Sequence, residues 1–342
     1  MSAVPTGTGL PPAVTFEAGW PPVLRPRAQT LRTDPGSVFA WYREAIEALG
    51  DLVTRQGAIL LRGFAIPDCE AFGRLASLHP EHRFRYVAGA SPRGRLGGNV
   101  YESTRIDERY KIGLHQEKSY LPEFPRRIAF YCEEPAMYGG ETTICDMREV
   151  SRRLPAIARD AFAAHGVHFR RNFRDREHRD SVIENSGLRD YHRTWQDAFE
   201  CTAREPVSAN CRQLGIEYEW LYDGSVTVSN TRPAFIRHPS TDEQIWFNQA
   251  TTLHANAYSL GVTYPVYKAV YSRRAAPPYE VQYGDRRPIT AQDLAPLYQV
   301  MRESERPVAW ERGDYLLLDN ILVAHGRNPY RGTRKVRVAL FD

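Results

Sequence analysis

The closing stretch "GDYLLLDNILVAHGRNPYRGTRKVRVALF" (313–341) decides how the rest of the chain is read. Its first part, 313–326, is a strongly apolar run that reads as a strand with His325 at its end. "NPYRG" (328–332) is turn chemistry, and "TRKVRVALF" (333–341) reads as the second strand of a pair. Other strand candidates are scattered far upstream: "AILLRGF" (58–64), "IAFYCEEP" (128–135), "YGGETTICD" (138–146), "AFIRHP" (234–239) and "QIWFNQ" (244–249). A helical pattern covers 37–57 and ends at Gly57, and a second covers 68–79 behind Asp68 as N-cap. Residues 147–205 look helical and polar, and a helix or two fits within 250–305. The first thirty residues, rich in Pro, Gly and Thr, read as an extended arm lying on the body.

This is not the alternating rhythm of a parallel α/β sheet, and no glycine-rich phosphate loop follows a strand. Strands paired at long range suit a mainly β fold with helical additions on a double-stranded β-helix core, a cupin-like jelly roll. The reading is one domain over 1–342, with an arm at 1–30 and a mostly helical insertion at 147–233.

Composition narrows the function classes. The 342 residues are 42% hydrophobic and 25% charged, which suits a globular protein with a large core. The net charge of +4 is spread along the chain. "HFRRNFRDREHRD" (168–180) mixes acids with its arginines, so no nucleic-acid partner is expected. Cys69, Cys132, Cys145, Cys201 and Cys211 form no close pair and read as reduced thiols of a cytoplasmic protein. The N-terminus lacks the pattern of a signal peptide, and no apolar run is long enough to span a membrane.

Three pairs could begin a metal site: His79-Pro80-Glu81, His115-Gln116-Glu117 and His178-Arg179-Asp180. A strand places residues i and i+2 on one face, so His-x-Glu on a strand aims an imidazole and a carboxylate at one point. A second histidine from a distant strand would complete a 2-His-1-carboxylate face suited to non-haem Fe(II). "HPEH" (79–82) has the Pro of a turn, and the third pair lies in a charged stretch. "GLHQEKSY" (113–120) sits beside strand-rich sequence and has the better context. His325 can supply the second imidazole, or it can be a satisfied core histidine.

Taken together, "GAILLRGF" (57–64), "LHQEKSY" (114–120), "FPRRIAFYCEEPAMYGGETTICDMREV" (124–150), "IRHPSTDEQIWFNQ" (236–249) and 313–340 resemble the TauD/TfdA superfamily of Fe(II)/2-oxoglutarate-dependent oxygenases. The chain looks most like the branch typified by the syringomycin-biosynthesis aspartyl hydroxylase. The resemblance implies Fe(II) held by His115, Glu117 and His325, with 2-oxoglutarate and O2 as cosubstrates. It also implies Thr142 and an arginine after the distal histidine as anchors for 2-oxoglutarate. Arg334 is the first choice and Arg337 the second, and on a regular strand these two face opposite ways. Thr143 is a further hydroxyl donor, while Arg327 and Arg331 read as structural or surface residues. Asn99 and Asn248 are candidate substrate contacts.

The superfamily often has His-x-Asp, whereas this chain has His-x-Glu, as that branch does. A carboxylate on the metal occupies the position a halide would need, so hydroxylation is expected over halogenation. The expected substrate is a small amino acid in secondary metabolism, free or presented on a carrier protein. Desaturation or cyclisation at the same site, or a non-catalytic metal-binding relative, are the alternatives.

Overall fold

The computed structural model describes residues 10, 13–82, 95–97, 100–103, 106–178, 180–185, 188, 191–272 and 276–342. Its largest sheet has eight strands in the order Val14–Glu17, Val23–Pro26, Ala58–Leu61, Tyr315–Asp319, Arg127–Glu134, Lys335–Phe341, Val100–Glu102 and Arg95–Gly97. A four-stranded sheet runs Arg306–Val308, Thr142–Asp146, Val323–Arg327 and Ile112–His115. Pairing in both is antiparallel except where Val23–Pro26 meets Ala58–Leu61. The central neighbours in these sheets lie far apart in the chain, which is the long-range pairing expected from the scattered strand signals.

The central strands of the large sheet are apolar on both faces, and alternate residues divide between two cores. Leu60, Phe130, Leu316, Leu318, Val338 and Leu340 join a cluster that includes Leu114, Ile144 and Ala324 of the small sheet. Ile59, Leu61, Ala129, Tyr131, Leu317 and Phe341 point the other way, onto helices. Helix Pro35–Gln56 supplies that cover with Val38, Trp41, Tyr42, Ala45, Leu49, Leu52 and Val53 along one stripe. Asp34 caps it by accepting from the Gly36 and Ser37 amides, Pro35 opens it, and Gly57 closes it with φ of 80°. Asp68 caps helix Cys69–Ala76 through the Ala71 amide, as its sequence position suggests.

The closing run departs from the sequence reading. Residues 313–326 are not one strand: Tyr315–Asp319 belongs to the large sheet and Val323–Arg327 to the small one. Asp319 accepts from the amides of Ile321 and Leu322, and this side-chain cap turns the chain between the sheets. The span 147–233 also holds more than helices. Val167–Phe173, Glu217–Trp220 and Val226–Arg232 join Tyr279–Tyr283 in a separate four-stranded sheet. Polar residues on these strands hid their period: Asn172 is buried against Thr227, and Arg171 lies over the Tyr120 ring. In the span read as an arm, Val14–Glu17 and Val23–Pro26 pair and extend the large sheet.

Among the described residues the five cysteines are free, and no helix is long and apolar enough to cross a membrane.

Candidate metal centre

Strand Val323–Arg327 lies between Thr142–Asp146 and Ile112–His115, and His325 stands directly opposite His115. Residues opposite one another in an antiparallel pair share a face. The two imidazoles accordingly meet with ring centroids 4.4 Å apart. The strand ends at His115, so Glu117 is not the third residue of a regular strand but opens the turn that follows. Its carboxylate still reaches the histidines, with Oε2 3.9 Å from His325 Nε2. One donor atom from each of His115, Glu117 and His325 lies within 4.8 Å of the others.

His325 and Glu117 are buried, and His115 is partly exposed, so the cluster has its open side at His115. His115 Nδ1 lies 2.9 Å from the Gly113 carbonyl. A carbonyl can only accept, so Nδ1 carries the proton and Nε2 carries the lone pair. The Phe130 ring meets His325 edge-on at 5.1 Å and limits how that ring can turn. Two imidazoles and a carboxylate converging from one side are a donor set that fits Fe(II) and leaves coordination positions on the other side.

A basic group, Arg334, stands beside this sheet, just ahead of strand Lys335–Phe341. Thr142 pairs in register with Arg327, two positions from the Ile144–His325 pair. Its hydroxyl oxygen accepts from Trp310 Nε1 at 3.1 Å and from Arg334 at 3.4 Å. Arg334 Nε also donates to the Gly140 carbonyl at 2.8 Å. Among the described residues no carboxylate lies within ion-pair distance of Arg334. Burial and the nearby positive charge of Arg327 lower its pKa to about 10. The approach needs the double glycine. Both residues have positive φ; a side chain at Gly139 would collide with the Pro329 carbonyl, and one at Gly140 would press tightly on Ala136, Tyr330 and Arg334.

Arg337 points to the opposite face, where its guanidinium pairs with Glu133 at 2.5 Å. Arg327 is buried and donates to the carbonyls of Ile106, Asp107 and Tyr110, a structural role. Thr143 is buried. Asn248 does not line an open site: its amide donates to the Ala234 carbonyl and accepts from the Ala250 amide. Asn99 lies outside the described residues. Of the other histidine pairs, His79 contacts the Tyr42 hydroxyl at 2.7 Å and stacks on Phe341, and Arg179 of the third pair is not described. Sequence reading missed Trp310 and Asn320. A lone tryptophan carries no motif, but the Asp319-Asn320 pair inside an apolar run is a turn signal.

Residues 24–340 match the family described as Taurine catabolism dioxygenase TauD, TfdA family. The chain belongs to the TauD/TfdA family. It is 30% identical over 315 residues to the dapdiamide synthesis protein DdaC of Enterobacter agglomerans, covering 92% of this chain and 90% of that protein. It is 28% identical over 297 residues to a clavaminate synthase-like protein of Arabidopsis thaliana, covering 85% and 83%. Two solved structures share the fold. AAD-2, in complex with Mn(II) and N-oxalylglycine, gives a TM-score of 0.54 at 12% identity and covers 96% of both chains. PvcB, an Fe, alpha-ketoglutarate dependent oxygenase, gives 0.51 at 15% identity and covers 94% of this chain and 85% of its own. As a family member the chain is an Fe(II)/2-oxoglutarate-dependent dioxygenase, with 2-oxoglutarate and O2 as cosubstrates.

Proposed function

We propose that the protein hydroxylates an unactivated C–H bond of a small polar substrate, an amino acid in secondary metabolism, free or held on a carrier protein. The convergence of His115, Glu117 and His325 within 4.8 Å carries this reading. These three residues hold Fe(II), and the two sheets that supply them and Arg334 form the jelly-roll core. Bound Fe(II), together with 2-oxoglutarate and O2, supplies the oxidising power for C–H attack as 2-oxoglutarate is converted to succinate and CO2.

The chain's own residues do the positioning. Arg334 is a half-buried guanidinium that donates to a carbonyl and a hydroxyl, so an incoming carboxylate finds a charge-assisted, fork-shaped partner there. Thr142 already accepts from Trp310 and Arg334, which leaves its own hydrogen to donate to the same carboxylate. Glu117 takes the place on the metal that a halide would need, which supports hydroxylation over halogenation. The name of DdaC, a synthesis protein for dapdiamide, supports a place in secondary metabolism. The His-x-Glu pair is the feature shared with the aspartyl hydroxylase branch.

The test is succinate formation with Fe(II), ascorbate and 2-oxoglutarate across a panel of free and carrier-bound amino acids. A product heavier by one oxygen is expected. A product lighter by two hydrogens would show desaturation or ring closure instead, and a chlorinated product would end the argument from Glu117.

A further inference from the structure

Resting on the reading of His115, Glu117 and His325 as metal ligands, we propose that Asn320 is the positioning residue for Glu117. Its side-chain amide grips both backbone polar groups of Glu117 and so aims the carboxylate at the metal.

Glu117 needs such support. The ladder between Ile112–His115 and Val323–Arg327 stops at the His115–His325 pair, and the chain leaves the strand before Glu117. Lys118 then takes φ of 56°, a left-handed turn position that few side chains favour. The wholly buried Asn320 supplies what the ladder does not. Its Oδ1 accepts from the Glu117 amide at 2.7 Å, and its Nδ2 donates to the Glu117 carbonyl at 3.0 Å and to the Pro125 carbonyl at 2.7 Å. The orientation is forced, because a flipped amide would set NH2 against N–H and an oxygen against two carbonyls.

The platform under Asn320 is rigid too. Asp319 holds the Ile321 and Leu322 amides with Oδ1, and its Oδ2 lies 3.0 Å from His238 Nε2. His238 Nδ1 accepts from the amides of Ser240 and Thr241, so Nε2 carries the proton that Asp319 receives. Gln116 bonds the carbonyls of Ile321 and Trp246, and Gln249 bonds the Gln116 carbonyl. The same turn that presents Asn320 launches the strand bearing His325. Asn320 therefore sets Glu117 relative to His325, not merely within its own loop.

A double-mutant cycle tests this on the whole chain, with anaerobic Co(II) titration in the absence of 2-oxoglutarate as the readout. Asn320→Ala and Asn320→Asp are expected to weaken Co(II) binding by roughly 10- to 100-fold, as for other residues that orient a ligand. Asp does no better than Ala, because its second oxygen faces the Glu117 and Pro125 carbonyls. In a Glu117→Ala background the Asn320 replacement should change affinity by less than about twofold, because the group it positions is gone. Circular dichroism confirms that each variant is folded, and Asn320→Ser carries the cycle if the Ala variant does not fold. An equal loss in both backgrounds, or folded Asn320 variants with unchanged affinity, would overturn the proposal. A wild-type chain that takes up no Co(II) would instead overturn the site reading beneath it.

Discussion

The two faces of the large sheet are built from the same strands yet have different work. The face toward the helices is apolar, and a charge on that side, Arg337, is neutralised by Glu133. The inner side faces the small sheet, beside which two histidines and a carboxylate come together, and Arg334 there donates to a carbonyl and a hydroxyl with no carboxylate within ion-pair distance among the described residues. An ion pair completed within the protein offers nothing to a ligand, whereas a half-buried cation bonded only to neutral groups retains its attraction for an anion.

The contrast can be broken most severely at the metal cluster. Glu117→Ala and His325→Ala should each cost 2-oxoglutarate-dependent turnover on the order of a thousandfold, about 4 kcal/mol, with iron content falling in parallel. Retention of both would remove the inner face from the chemistry. The two arginines give the sharper comparison. Arg334→Ala should raise the half-saturating 2-oxoglutarate concentration about a hundredfold, about 3 kcal/mol, while Arg337→Ala leaves it within about twofold. The reverse result would exchange their roles.

On the helical face, Ile59→Val should lower unfolding stability by about 1 kcal/mol in urea titration without moving 2-oxoglutarate saturation. A shift in saturation would mean that the faces are coupled. A further test concerns pH. Burial lowers the pKa of His79 and of His168 to about 4, below the ordinary 6.5. The folded state therefore binds fewer protons than the unfolded one between these values. Stability from this source is fully present above pH 6.5 and is lost as pH falls toward 4. His79→Gln should flatten part of that slope, and His168, His82 and His254, which burial also holds below the ordinary value, keep the rest; a slope identical to wild type would assign it elsewhere.

Much of the site could be read before the fold was seen, because its residues carry distinctive chemistry. A His-x-Glu pair, a histidine at the end of an apolar strand and arginines beyond the following turn are visible as types and spacings. The strands were less legible. Residues 313–326 looked like a single strand because Asn320 interrupts the apolar run only briefly, and the Asp319 cap that turns the chain depends on local geometry. Strand Val167–Phe173 was concealed by arginines and an asparagine, polar residues whose burial depends on partners far along the chain.

Composition and strand pattern were enough to expect a mainly β chain, and the family resemblance pointed to His115, Glu117 and His325 as ligands and to Arg334 or Arg337 as the anion anchor. Side-chain identity and local periodicity are properties of the sequence itself. Only the tertiary structure separates the two arginines, since it places Arg337 on the face where Glu133 pairs with it. It alone revealed Asn320, whose amide meets Glu117 across a separation of 203 residues. A hydrogen bond between distant segments leaves no trace in the local pattern of either, because only the folded chain brings donor and acceptor within reach.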